Sequence, residues 1–138
     1  MSLATWKKQF YPISARAAVR AGQSAVAHSL KKWRGLRPVV LKRHGLTFSS
    51  GVLKGRDGIL YIDERSCACC LRYLARDQAQ YDDCRACPLC HVLGRPCDAT
   101  TVDGNKSEYE AGCGGDPEPM IQALTRAQRL AQKGVKQL

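Results

Sequence analysis

Acidic residues are missing from the first 56 positions of this 138-residue chain. Those positions hold twelve Lys and Arg residues and no Asp or Glu, and the first carboxylate is Asp57. The rest of the chain holds ten bases and twelve acids, so the surplus behind the net charge of +10 lies in the N-terminal part. This part has no carboxylate to act as a general base or to bind magnesium, and its charge predicts an anionic partner, either nucleic acid or an acidic protein surface.

Long apolar runs are also missing. No stretch approaches the roughly 18 apolar residues of a membrane-spanning helix, so the sequence predicts no membrane association. The N-terminus lacks the short apolar stretch and small-residue cleavage site of a secretory signal. We therefore expect a cytoplasmic protein, in which cysteines stay reduced and clustered thiols usually bind metal.

Histidine is scarce, and its three copies are scattered at His28, His44 and His91. A metal-dependent nuclease would need a His/Asp/Asn constellation, which the sequence does not contain. No motif around the cysteines indicates a redox enzyme, and no small-molecule substrate is evident. The sequence predicts a binding protein and not an enzyme.

Cysteine is abundant, and seven of the eight copies lie between residues 67 and 97. Cysteines separated by two residues point two thiolates at one centre, and two such turns supply the four sulfurs of a tetrahedral zinc site. We expect residues 64–115 to depend on the ion for folding. The candidate metal ligands are Cys67, Cys70, Cys84, Cys87, Cys90 and Cys97.

Other chemistries remain open for the same cysteines. The run Cys84-x2-Cys87-x2-Cys90 matches three ligands of a 4Fe-4S ferredoxin segment, although no fourth cysteine follows three residues later. Two zinc ions, using all eight thiols or His91, and disulfides are further alternatives. Neighbouring side chains diverge, so one of the adjacent Cys69 and Cys70 is expected to be a packing residue.

The basic part is expected to be mainly helical. Residues 1–13 predict an extended arm with packed aromatic side chains, and residues 14–34 predict one helix with an apolar stripe. A short helix follows from Pro38 to His44, closed by Gly45, which gives a helical hairpin; a DNA-binding helix-turn-helix is the less favoured interpretation. The candidate nucleic-acid-binding residues are Arg16, Arg20, Lys31, Lys32, Arg34, Lys42 and Arg43.

The remainder predicts a small, metal-stapled α+β domain that spans residues 1–138. The β-type residues around the turn at 55–58 indicate a hairpin with strands near 47–54 and 59–63. The predicted parts of the domain are a basic part with the first strand (1–56), a hairpin and cysteine-rich part (57–115) and a C-terminal helix (116–134). The middle part contains a short helix at 71–76 and a long loop at 98–115. The C-terminal helix has an apolar stripe formed by Met120, Leu124, Ala127 and Ala131.

Several segments together resemble small cysteine-rich proteins encoded by bacteriophages and prophages. These segments are HSLKKWRGL at 28–36, Cys87-Pro88-Leu89, Gly94-Arg95-Pro96-Cys97 and the helix start at 116–120. The resemblance covers most of the chain and implies a bacterial cytoplasm and an accessory phage role, with no catalytic residues. It also leaves open that the protein binds or inhibits a host or defence protein.

Overall fold

The computed structural model describes residues 2–63, 66–73, 87–94, 97 and 106–132. These residues form a small α+β fold, which confirms the predicted class. None of the helices in these ranges is both long and apolar enough to cross a bilayer. In chain order the elements are α1 (Leu3–Phe10), α2 (Ala15–Arg20), α3 (Ala25–Arg34), α4 (Pro38–His44), β1 (Thr47–Ser49), β2 (Val52–Gly55), β3 (Gly58–Tyr61), α5 (Ala68–Tyr73), α6 (Pro88–Leu93), α7 (Glu108–Cys113) and α8 (Glu118–Gln132).

The N-terminal segment is helical, so the extended arm predicted for residues 1–13 is wrong. Helix α1 begins at a capping box, in which the side chains of Ser2 and Thr5 each accept the backbone N–H of the other residue. The carboxylate of Asp57 adds two more acceptors, for the N–H groups of Leu3 at 2.9 Å and Ala4 at 3.0 Å. These contacts satisfy donors that a helix start otherwise leaves unpaired, and they tie α1 to the sheet.

The single helix predicted for residues 14–34 is two helices in the structure. The break follows α2, where Gly22 adopts the left-handed conformation with φ of +73°, and Ser24 then caps α3 by accepting the N–H of Ala27. The predicted hairpin is therefore a set of four short helices before the sheet. The expected bounds of α4 are confirmed, with Pro38 at its start and Gly45 closing it at φ of +69°.

The sheet contains three antiparallel strands in the order β1-β2-β3, not the two of a simple hairpin. The expected strand over 47–54 is divided by a turn at Ser50 and Gly51, which have φ values of +51° and +78°. Phe48 lies opposite Leu53, and Leu53 lies opposite Leu60. The predicted turn at residues 55–58 joins β2 to β3.

The later helices also differ from the sequence prediction. Helix α5 (Ala68–Tyr73) begins before the predicted start at residue 71, so that Cys69 and Cys70 lie within it, and the predicted residues 74–76 lie outside the described residues. Part of the predicted loop at 98–115 is the short helix α7, whose N-terminus is capped by Ser107. The first half of that loop and the predicted helix end at Gly134 lie outside the described residues.

The hydrophobic core lies around α8, which packs against α3, α6 and α7. The predicted stripe on α8 is confirmed at Met120, Leu124 and Ala127, all of which are buried. The core cluster continues to Trp6, whose indole N–H donates to the carbonyl of Gly35 at 2.8 Å. It also includes buried Cys69, Cys87 and Cys90, so the cysteine-rich segments pack against the core.

Candidate thiolate site and basic surface

Two Cys-x-x-Cys pairs each stand at the start of a short helix. Cys67 immediately precedes α5, and the N–H of Cys70, three residues later, donates to the Cys67 sulfur at 3.4 Å. Cys87 occupies the equivalent position before α6, where Pro88 fits the first helical position, and Cys90 follows three residues later. Both pairs therefore place their first thiol at a helix start, where backbone N–H groups have no partner within the helix.

The two pairs converge on one small cavity. Five of the six predicted ligands line it, and the sixth, Cys84, lies outside the described residues. The cavity has a volume of about 30 Å³, which suits one or two water-sized ligands and is far below the usual size of an organic substrate pocket. The lining residues are Cys67, Cys69, Cys70, Cys87, Leu89, Cys90 and Cys97; the six cysteines among them are called the cysteine cluster below.

Cys69 packs in the hydrophobic core and also lines the cavity, so it belongs to the cysteine cluster although it was not among the predicted ligands. Its side chain is buried, and the hydroxyl of Ser29 on α3 donates to its sulfur at 3.7 Å. Cys69 is also the largest cause of the lowered pKa values of Cys67 and Cys87, one cysteine from each Cys-x-x-Cys pair. The start of α5 at Ala68 places Cys69 on the first turn of the helix.

Cys67 is stabilised as a thiolate by its surroundings. Hydrogen bonds from the thiols of Cys69 and Cys70 are the main reason that the pKa of Cys67 lies well below its ordinary value. The charge of Lys32 and the N–H of Cys70 lower this pKa further, and burial opposes them. A lowered pKa matters because the thiolate, and not the thiol, is the metal ligand.

Cys87 is a second position that favours the thiolate. The hydrogen bond with Cys69 is the largest cause of its lowered pKa, and the N–H groups of Cys90 and Leu89 contribute in the same direction. The pKa values of Cys69 and Cys70 are raised, chiefly because their thiols donate to thiolates. Burial raises the pKa of Cys90. The first cysteine of each pair is thus the one whose surroundings favour the thiolate.

The donor chemistry suits a thiophilic ion, whereas the described positions do not yet form a coordination sphere. Among the residues that the structure describes, no group of three or more His, Cys, Asp or Glu side chains has the geometry of a metal site. Zinc would draw four sulfurs to about 2.3 Å from one centre, so binding requires the thiols to move inward. Cys113 lies apart from the cavity, near Tyr109 and Gly51.

Six of the seven predicted nucleic-acid-binding residues are exposed, and Lys32 is not. Its side chain is only 1% exposed, and its ammonium donates to the carbonyl of Ser66 at 2.8 Å. The assignment of Lys32 to the binding surface is therefore wrong. The helix period explains this, because Lys32 follows Ser29 by three residues and shares its buried face. The exposed cations, called the basic surface below, are Arg16, Arg20, Lys31, Arg34, Lys42 and Arg43.

On α3, the cations of the basic surface and the residues that face the cysteine cluster lie on different faces of the helix. Lys31 and Arg34 are exposed, whereas Ser29 and Lys32 are buried toward the cluster. Sequence reasoning also omitted three exposed cations of the same acid-free part, Lys8, Lys54 and Arg56.

No known family model, curated protein or solved structure gives a significant match to this chain. Function therefore has to be argued from the site itself.

Proposed function

We propose that this chain is a non-enzymatic accessory protein that binds zinc through the cysteine cluster and contacts nucleic acid, or another polyanion, through the basic surface. The observation that carries the proposal is the convergence of six cysteines on one cavity, five of them from the starts of α5 and α6. Reduced thiols are required, which favours a cytoplasmic location, that of a bacterial host if the phage resemblance holds.

Zinc is preferred over an iron-sulfur cluster for two reasons. Four thiolates complete the tetrahedral shell of a zinc ion, and the two pairs offer these from residues that already line one cavity. A volume of about 30 Å³ also suits a single ion better than four irons and four sulfides. The iron-sulfur alternative rests on the spacing Cys84-x2-Cys87-x2-Cys90, which a single bound ion does not explain.

Elemental analysis after anaerobic purification tests the metal half of the proposal. We expect one zinc per chain, retained through gel filtration and released by a strong chelator. A brown protein with iron and acid-labile sulfide would replace zinc by the iron-sulfur alternative. Protein that carries no metal and takes up none from added zinc would refute the proposal.

The polyanion half is supported by charge and exposure together. The basic surface lies on α2, α3 and α4, within the part of the chain that has no carboxylate before Asp57. No acidic residue of this segment neutralises the electrostatic repulsion between these cations. Bound phosphates would neutralise it. Binding of this kind is driven by counterion release and does not require sequence readout.

Binding of random-sequence duplex DNA at several salt concentrations tests this half. Substituting Lys31, Arg34, Lys42 and Arg43 by Ala should weaken binding and reduce the slope of log affinity against log salt by about 0.9 for each phosphate that the variant no longer neutralises. The matched control replaces Arg126 and Arg129, exposed cations on α8, and should leave binding unchanged. Equally weakened binding in both variants, or unchanged binding in the first, would contradict the assignment.

A protein partner is the second candidate, because one exposed apolar side chain lies within the basic surface. Val39 is 65% exposed on α4, beside exposed Lys42 and Arg43. Apolar contact flanked by cations suits an acidic protein surface better than a phosphate backbone. A stoichiometric protein retained from nuclease-treated host lysate, together with no affinity for DNA, would favour a module that binds a host or defence protein.

A further inference from the structure

Lys32 is the least expected buried residue of the structure. Its side chain is 1% exposed on α3, and its ammonium donates to the carbonyl of Ser66, the residue directly before Cys67. Burial of an ammonium is costly unless an anion compensates it. Among the described residues, an ion pair joins Arg37 to Glu118, and none joins a carboxylate to Lys32.

The cysteine cluster lies beside Lys32 and offers thiols that can carry a compensating negative charge. Ser29, one turn earlier on the same face of α3, lies 3.9 Å from the sulfur of Cys67 and 3.7 Å from that of Cys69. Helix α3 packs directly against α5, which carries Cys69 and Cys70. The charge of Lys32 is also among the causes that lower the pKa of Cys67. Position and electrostatics therefore connect the ammonium to the cluster.

A bound metal would increase the need for such a cation. Thiols lose their protons when they bind a metal, and a divalent ion held by four thiolates carries two net negative charges. A buried ammonium beside the site stabilises that anionic complex, and the low local dielectric strengthens the attraction. Exposed Lys31, on the neighbouring position of the same helix, is screened by water and contributes little.

We propose that Lys32 is the built-in counter-charge of the cysteine cluster, which stabilises the anionic complex of a divalent thiophilic ion. This inference rests on the proposed zinc site and adds to it a positioning residue that is not itself a ligand. It also explains why one lysine of a basic helix is buried while its neighbours, Lys31 and Arg34, remain in solvent.

Zinc affinity, measured by chelator competition, tests the proposal with four variants. Lys32→Met removes the charge and the donor, Lys32→Gln keeps a donor without the charge, and Lys32→Arg keeps the charge. We expect both neutral variants to bind zinc about 10- to 100-fold more weakly, the range typical of residues behind the ligands, and Lys32→Arg to stay close to wild type. Lys31→Met is the matched control and should bind as wild type does.

Two further measurements distinguish the effect of removing the Lys32 charge from the effect of a damaged fold. The cobalt(II) spectrum should be unchanged in Lys32→Gln at saturation, because the ligands are the same, and circular dichroism reports whether each variant is folded. Wild-type affinity in Lys32→Gln would overturn the proposal, since the hydrogen bond to Ser66 alone would then suffice. If the neutral variants fail to fold, the comparison rests on folded Lys32→Arg, which keeps the charge. A zinc affinity of this variant about 10-fold or more below that of the wild type would also overturn the proposal, because the charge alone would not stabilise the complex. Wild-type protein that binds no zinc would overturn the proposed function itself.

Discussion

Single residues decide how closely the helices of this protein approach one another. Gly112 on α7 lies against the indole of buried Trp33, and a Cβ at this position would overlap a carbon of that ring. Trp33 also contacts the rings of Phe48 and Tyr109 edge-on, so it has neighbours on several sides. The indole therefore has little freedom to move away from an added methyl group.

Gly112→Ala should destabilise the protein by about 1–3 kcal/mol, the usual cost of overpacking a core, which exceeds the gain of up to about 1 kcal/mol in helix propensity. Urea unfolding followed by circular dichroism measures the change. Gly114→Ala is the control, because its Cβ would meet its nearest atoms at an ordinary 3.5 Å. Similar unfolding midpoints for Gly112→Ala and wild type would show that α7 does not pack on Trp33 as described.

At the scale of elements, local capping explains both the successes and the failures of the sequence prediction. The ends of α4 were predictable because Pro38 and Gly45 are strong signals, and the stripe of α8 was predictable from its period. Helix α7 was missed although Ser107 and Glu110 form a capping pair, in which Ser107 accepts the N–H of Glu110 at 3.1 Å. The pattern was present but lay in a polar, glycine-rich context that favoured a loop.

Helix α1 could not have been predicted from its own residues alone. Its start is stabilised by Asp57, 54 residues from Leu3, and no local pattern reveals such a contact. The division of residues 14–34 is a different case, since Gly22 and the cap at Ser24 were visible but outweighed by the apolar stripe. Long-range contacts and competing local signals thus limited the prediction more than composition did.

The contact between Asp57 and α1 makes stability depend on pH. The N–H groups of Leu3 and then Ala4 hold the pKa of Asp57 below its ordinary value of 3.8. A lowered carboxyl pKa stabilises the fold above the ordinary value, and this stabilisation disappears as pH falls through the lower, folded-state pKa. Asp57→Asn should therefore lower the melting temperature at pH 7 and change it little at a pH below the folded-state pKa.

Thermal unfolding at both pH values tests this expectation. Asp116→Asn is the control, because Asp116 accepts a single backbone N–H, that of Glu118 at 3.2 Å, and its removal should matter less at pH 7. A deficit of Asp57→Asn that is as large in acid as at neutral pH would contradict the role of the carboxylate charge.

At the scale of the whole molecule, the basic surface and the cysteine cluster have different environments. The basic surface faces solvent on α2, α3 and α4, whereas the cysteine cluster packs against the core from α5 and α6. Spacing alone predicted five of the six described cysteines of the cluster. It could not predict Cys69 or Lys32, because their roles depend on which face of a helix turns inward.

The ordering of residues 64–115 by a metal stays a prediction, as does the resemblance to phage-encoded proteins. The described part of the cluster nevertheless gives the zinc proposal a specific form. Cys67 and Cys87 are the two positions that favour a thiolate, and each comes from a different helix start. Removing both should therefore abolish metal binding more completely than removing a cysteine outside the cavity.

The most direct measurement is the ratio of zinc to protein in three anaerobically purified forms. The account predicts one zinc per chain in the wild type and in Cys113→Ser, because Cys113 lies apart from the cavity. It predicts no stoichiometric zinc in the double variant Cys67→Ser, Cys87→Ser. A wild-type protein without metal, or a double variant that retains as much zinc as the wild type, would contradict the central claim.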